Sequence, residues 1–259
     1  MNRKIPPRVN AVLFLLFVLG FVVTAFSFTD LQWTHWLFDE LKLSRSRAKS
    51  APVDANELQR LRQSILNVRV AQCGGAGERV GTGFIVKAHY IATAAHILGD
   101  QQQCNGTIHL VDYKGLEHPA TVEGVSAADD LALFRIADST LPPLQLADAT
   151  AYETPNEVVR LVTIGYPLER EGASSRDSAA VSGEGSLSRF DREHGVFVTS
   201  GLNLNPGNSG GPIFIRRNWT VLGIARAKLP NAVGEGIGYV ASIKAFENFF
   251  REKTGQVLR

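Results

Sequence analysis

From Val68 onward the chain predicts an all-β architecture, a barrel or sandwich, closed by one C-terminal helix. Three observations carry that prediction. Short apolar runs recur along this region; Gly, Asp, Asn and Pro bound them; and their spacing suits consecutive strands rather than βαβ units. Only the last segment has a sustained helical period.

The elements follow in order. Arg3, Lys4 and Arg8 precede Ala11–Phe28, eighteen residues without a charge. As a helix this run would span roughly 27 Å, enough for a hydrocarbon core. Basic residues before it, and no Lys or Arg after it until Lys42, put the N-terminus in the cytoplasm and the rest of the chain outside. Two readings stand. Ala25-Phe26-Ser27 suits cleavage of a signal peptide, whereas Trp33 and Trp36 suit the interface of a retained transmembrane anchor.

Residues 39–58 are polar, with Lys42, Arg45, Arg47 and Lys49 among serines, and read as a stalk. The division expected is 1–30 for anchor or signal, 31–64 for the juxtamembrane segment and stalk, and 65–259 for the folded domain. A short helix is expected over Glu57–Leu66, with Leu58, Leu61 and Ile65 on one face.

The first strands expected are Val68–Gln72, Gly83–Lys87, Tyr90–Thr93, Thr107–Asp112, Ala120–Gly124 and Leu131–Ile136. They continue with Val158–Ile164, Val196–Ser200, Pro212–Ile215, Thr220–Ala227 and Gly238–Ala241. Glu169–Ser178 is polar and contains Gly and Ser, so a loop is expected there. Ser242 can cap a final helix with Ile243, Phe246, Phe249 and Phe250 on one stripe and Gly255 as its stop.

Composition bounds the function. A formal net charge of +2, with no basic stripe interleaved with aromatics, argues against nucleic-acid binding. No Cys or His cluster has metal-ligand spacing, so neither a metal nor a cofactor is expected. The two cysteines, Cys73 and Cys104, could close a disulfide in an exported protein, worth about 3–4 kcal/mol by chain entropy. Alternatively they are two separate buried thiols.

The chemistry concentrates in three segments. Gly207-Asn208-Ser209-Gly210-Gly211-Pro212 is a glycine-rich turn in which backbone N–H groups can converge, and glycine tolerates the positive φ such turns need. His96 ends the apolar run Ile91–Ala95, where a strand should meet a short helix, with small neighbours leaving room for substrate. Asp130 opens the run Leu131-Ala132-Leu133. A serine hydroxyl needs an imidazole to take its proton, a carboxylate to orient that imidazole, and N–H donors for the oxyanion. All four parts are present.

The motif Gly207-x-Ser209-x-Gly211 also fits the nucleophile elbow of α/β-hydrolases, whose order is Ser, acid, His. No histidine follows Ser209, so that triad cannot be completed. Asp129 and Asp130 are adjacent, and strand alternation would let only one face the imidazole.

These residues resemble trypsin-like serine peptidases, and the HtrA/Deg branch in particular. The likeness rests on Gly81-Thr82-Gly83-Phe84-Ile85-Val86, Ala94-Ala95-His96, Asp130-Leu131-Ala132-Leu133 and Ile164-Gly165-Tyr166-Pro167. Ser182-Gly183, Asn205–Pro212 and Gly236-Ile237-Gly238-Tyr239 complete it, in the family's order. It spans roughly residues 65–253. It implies two six-stranded antiparallel barrels joined near residues 140–157, with the closing helix on the second. Members commonly carry a PDZ domain after the protease, and none is expected within these 259 residues.

The resemblance also implies roles. Asp130, directly before Leu-Ala-Leu, becomes the acid, and the N–H groups of Gly207 and Ser209 become the oxyanion donors. Asn203 stands where a basic-specific enzyme would carry Asp, and Ile237 would make the substrate pocket shallow, favouring Val, Ala or Leu before the scissile bond. The expected function is a serine endopeptidase acting on extracytoplasmic polypeptides, periplasmic and tethered through residues 11–28, or secreted if cleaved. The alternative is a protease fold kept as a binding or scaffolding module. The oligomeric state is left open.

Overall fold

The computed structural model describes residues 54–71, 77–99, 107–137, 140–168, 179–202, 204–228 and 236–259. The expectations for residues 11–28, Trp33, Trp36, the disulfide candidates Cys73 and Cys104, the pocket residue Asn203 and the loop 169–178 lie outside the described residues. Among those described, no helix is long and apolar enough to cross a membrane.

Asp54–Arg259 form one compact unit built on twelve strands. The first six are β1 (Ile65–Ala71), β2 (Glu78–Lys87), β3 (Tyr90–Thr93), β4 (Ile108–Val111), β5 (Glu117–Ser126) and β6 (Leu131–Ile136). They close as an antiparallel barrel in the order β1-β2-β3-β6-β5-β4. The remaining six are β7 (Arg160–Gly165), β8 (Ala180–Asp191), β9 (Val196–Ser200), β10 (Pro212–Ile215), β11 (Thr220–Lys228) and β12 (Ile237–Ser242). They close as β10-β11-β12-β9-β8-β7. Among the described residues, closure gives each strand a partner on both sides.

The two-barrel architecture agrees with the sequence expectation, and the element bounds depart from it in two instructive places. The helix expected over Glu57–Leu66 is α1 (Ala55–Arg62), capped by the Asp54 carboxylate, which accepts from the Asn56 N–H at 3.2 Å. Ile65 and Leu66 instead open β1, opposite Phe84 and Gly83 of β2, and both are fully buried. An apolar pair satisfies either period, and strand pairing decided. The second departure is β8, where no strand was expected. Its segment is rich in Gly and Ser and lacks an apolar run, yet it pairs with both β7 and β9.

The link between the barrels is hydrogen-bonded to both. The Leu144 N–H donates to Ile85 O of β2 at 2.9 Å, and the Ala147 N–H donates to Val221 O of β11 at 2.9 Å. Helix α2 (Ile243–Thr254) completes the fold: the Ser242 hydroxyl caps it and Gly255, in the left-handed region, ends it. Ile243, Phe246, Phe249 and Phe250 are buried as the stripe requires. Full burial of such side chains is worth roughly 1.5–3 kcal/mol each. The helix also reaches the first barrel, where Phe250 meets Tyr90 edge-on at 5.1 Å. It therefore clamps both barrels, rather than packing on the second alone, and steadies the cleft they share.

Candidate active site

A cleft of about 870 Å³ contains His96, Asp130 and Ser209 in its lining. His96 reaches it because β3 ends at Thr93 and the chain turns into one 3₁₀ turn, Ala95–Leu98. Ile97 and Leu98 are buried in the first barrel, which fixes the turn and leaves the imidazole of the preceding His96 44% exposed. The Arg79 guanidinium donates to His96 O at 3.0 Å and holds the same turn from outside.

Asp130 binds the imidazole closely. His96 Nδ1 lies 2.9 Å from Asp130 Oδ2 and 3.1 Å from Oδ1, and the His96 backbone N–H donates to Oδ1 at 2.9 Å. A carboxylate can only accept, so Nδ1 carries the hydrogen, and in the neutral ring Nε2 then holds the lone pair. Strand alternation, expected to separate Asp129 from Asp130, does not apply: Asp130 is not in a strand but ends the turn before β6, with φ of 54°, a conformation Asp tolerates better than most residues. Asp129 turns away and accepts from the Ser126 hydroxyl at 2.7 Å.

Ser209 lies in the turn before β10. Gly207 and Gly210 on either side have φ of 90° and 82°, the positive values expected of this turn. A Cβ at Gly210 would lie 2.2 Å from Thr93 Oγ1 and 2.4 Å from Thr82 O, so only glycine fits. The turn is stitched to both barrels: Thr82 N–H donates to Ser209 O at 2.8 Å, and Gly210 N–H donates to Ala225 O at 2.7 Å. Among the described residues, the Ser209 hydroxyl makes no hydrogen bond to His96. Such contacts are often long in free enzymes and tighten with substrate. A hydroxyl, an imidazole and a carboxylate in one cleft is the group set for acyl transfer through a covalent intermediate.

The remaining sequence candidate, Ile237, begins β12 opposite Ser200 and is half-buried, but it is not among the residues lining the cleft. Leu204 is, and Gly238 packs against it. Sequence reasoning also missed Thr82. Its hydroxyl donates to Gly207 O at 2.7 Å and accepts from the Tyr166 N–H at 3.0 Å, joining β2 to the nucleophile turn and to the end of β7. The glycines flanking it in Gly81-Thr82-Gly83 were the available signal. Behind it, the buried Tyr166 has its pKa pushed up to about 12, chiefly by burial and further by the charge of Asp112, so it stays a neutral donor to Ile65 O.

Thr82→Val should leave the Gly207 carbonyl and the Tyr166 N–H unpaired, costing about 1–3 kcal/mol for each. Chemical denaturation should register that loss and kcat should fall with it, while Thr82→Ser keeps both. Equal stability and activity in the Val and Ser variants would contradict this role.

Comparison with known proteins agrees with the geometry. A family model for the trypsin-like peptidase domain matches residues 81–224. A probable periplasmic serine endoprotease, DegP-like, of Chlamydia pneumoniae is 30% identical over 161 residues, which cover 61% of this chain and 31% of that protein. The chain thus spans about a third of the length of such curated relatives. A serine endoprotease from Yersinia pestis superposes with a TM-score of 0.62 at 20% identity, covering 80% of this chain and 69% of the other. An HtrA-type protease, AlgW, solved with a tripeptide, gives 0.61 at 22% identity over 80% and 65%. At those identities the structural likeness speaks to the fold. The residues matched by the family model show that this chain belongs to the trypsin-like peptidase domain family, and the DegP-like proteases are among the proteins it is similar to.

Proposed function

We propose that the protein is a serine endopeptidase that cleaves polypeptides outside the cytoplasm. The observation that carries this reading is the His96–Asp130 pair, 2.9 Å apart, in the cleft that Ser209 also lines. In the proposed cycle, Ser209 Oγ attacks the scissile carbonyl carbon as His96 Nε2 takes the hydroxyl proton. Asp130 holds the ring and stabilises the imidazolium. The N–H groups of Gly207 and Ser209 receive the oxyanion. His96 then returns the proton to the departing amine, leaving an acyl-serine. Water attacks that ester, gives a proton to His96, and releases the carboxylic acid as Ser209 recovers its hydrogen.

Localisation follows the same reading. The charge-free run 11–28 behind Arg3, Lys4 and Arg8 supports export, as a retained anchor or a removed signal. The DegP-like relatives, described as periplasmic, point the same way. The residues ahead of Asp54, where the compact unit begins, would then connect the membrane region to the protease domain. Leu204 and Ala225 give the cleft an apolar floor, in keeping with Val, Ala or Leu before the scissile bond.

Incubation with an unfolded protein, followed by mass spectrometry of the products, tests the proposal. Cuts after small or medium apolar residues, absent with Ser209→Ala, are expected. Binding without cleavage would favour a scaffold instead, and cleavage mainly after Lys or Arg would overturn the specificity.

A further inference from the structure

We infer that Arg226 makes the cleft select peptides carrying an acidic side chain close to the scissile bond. This rests on the peptidase reading above. The register of β11 against β12 slips between Ala225 and Ala227, leaving Arg226 as the extra residue of a bulge. Bulges re-aim side chains, and this one sits one residue past Ala225, whose N–H and carbonyl bond the nucleophile turn at Gly211 O and Gly210 N. The side chain accordingly lines the cleft beside Ser209 and Asp130.

Its guanidinium is held but not consumed. One nitrogen, Nη2, donates to Ala128 O at 2.9 Å, which ties Arg226 to the turn that ends in Asp130. Nε stands 3.9 Å from Asp130 Oδ2, too far for a hydrogen bond. Asp130 instead spends both oxygens on His96 and is only 13% exposed, whereas Arg226 is 27% exposed. Five N–H donors in a planar fork exceed what one carbonyl takes.

The surroundings favour a carboxylate partner. Among the described lining residues, Asp130 is the acidic side chain, and Arg226 and His96 are the basic ones; Val125, Ala127, Leu204, Pro206 and Ala225 contribute apolar walls. A peptide therefore meets a cation backed by weakly polar surface, where a charge pair is worth more than in open water. An Asp or Glu side chain can take two parallel N–H donors from the fork, which a neutral amide cannot match. A Lys at the same place would face repulsion, so the arrangement discriminates in both directions.

The test uses the full chain as wild type, Arg226→Gln and Arg226→Glu. Each is given peptides with one cleavable centre and Glu, Gln or Lys placed in turn at four positions on either side. The readout is the ratio of kcat/KM between Glu and Gln peptides within each protein, which cancels any general loss from disturbing Asp130. In wild type one position should favour Glu by about tenfold, the order expected for a partly screened charge pair. Arg226→Gln should bring that ratio to about one, and Arg226→Glu should favour Lys at the same position. Efficient cleavage with no preference for Glu anywhere in wild type, or with the preference intact in Arg226→Gln, would sink this inference alone. If both variants fail to fold, Arg226→Met, which keeps the apolar stem without the charge, takes their place with the same reading. Absence of cleavage of every peptide by wild type would overturn the peptidase reading and this inference with it.

Discussion

Ser209→Ala is expected to lower kcat by on the order of 10⁶-fold, the loss seen when a triad nucleophile acts as one unit with its base. Thermal stability should stay close to wild type. The bonds that fix the nucleophile turn run through its backbone, from Thr82 N–H to Ser209 O and from Gly210 N–H to Ala225 O, and alanine retains them. KM should change little, because the hydroxyl contributes to the transition state rather than to ground-state binding. Steady-state kinetics on one cleavable peptide, beside a thermal melt, separates these quantities. A variant that still turns over within tenfold of wild type would remove Ser209 from the chemistry.

Asp130→Asn should be the next largest loss, on the order of 10⁴-fold in kcat. The substitution is nearly isosteric, and Asn accepts the left-handed backbone that Asp130 adopts at φ of 54°. The His96 N–H, 2.9 Å from Oδ1 in the native protein, can still find an oxygen. What changes is the face shown to Nδ1. An amide N–H there favours the opposite tautomer, placing a hydrogen on Nε2, so the base has no lone pair for Ser209. The expected signature is a collapsed kcat in a protein of ordinary stability. An Asn variant as active as wild type would show that the close carboxylate–imidazole contact has no part in turnover.

These expectations draw on features that were unequally visible in the sequence. The segments around His96, Asp130 and Ser209 could be read because each joins a chemical side chain to a local pattern: an apolar run, a turn before a run, a glycine cluster. Helix α2 could be read as well, since Ser242, the Phe stripe and Gly255 each act within one or two turns of chain. β8 was invisible because its place comes from its neighbours β7 and β9, not from apolar content of its own. The end of α1 was misjudged because Ile65 and Leu66 fit a helix face as well as a strand, and only the partners Phe84 and Gly83 resolve them.

The supporting side chains were harder still. Thr82 acts on a carbonyl 125 residues away, and no local signal announces such a partner. Arg226 is turned into the cleft by a bulge that depends on the register with β12. Leu204, rather than Ile237, lines the described cleft, and Gly238 of β12 lies against the Leu204 side chain. Sequence carried the identity of the reacting groups; the pairing of strands determined what surrounds them.

The most direct measurement is intact-mass spectrometry with peptide mapping after exposure to a fluorophosphonate. One adduct per chain, mapped to the Ser209 oxygen and lost when His96 is changed to Ala, is the predicted result. A wild-type protein that stays unmodified, or that carries the label on another residue, would contradict the account.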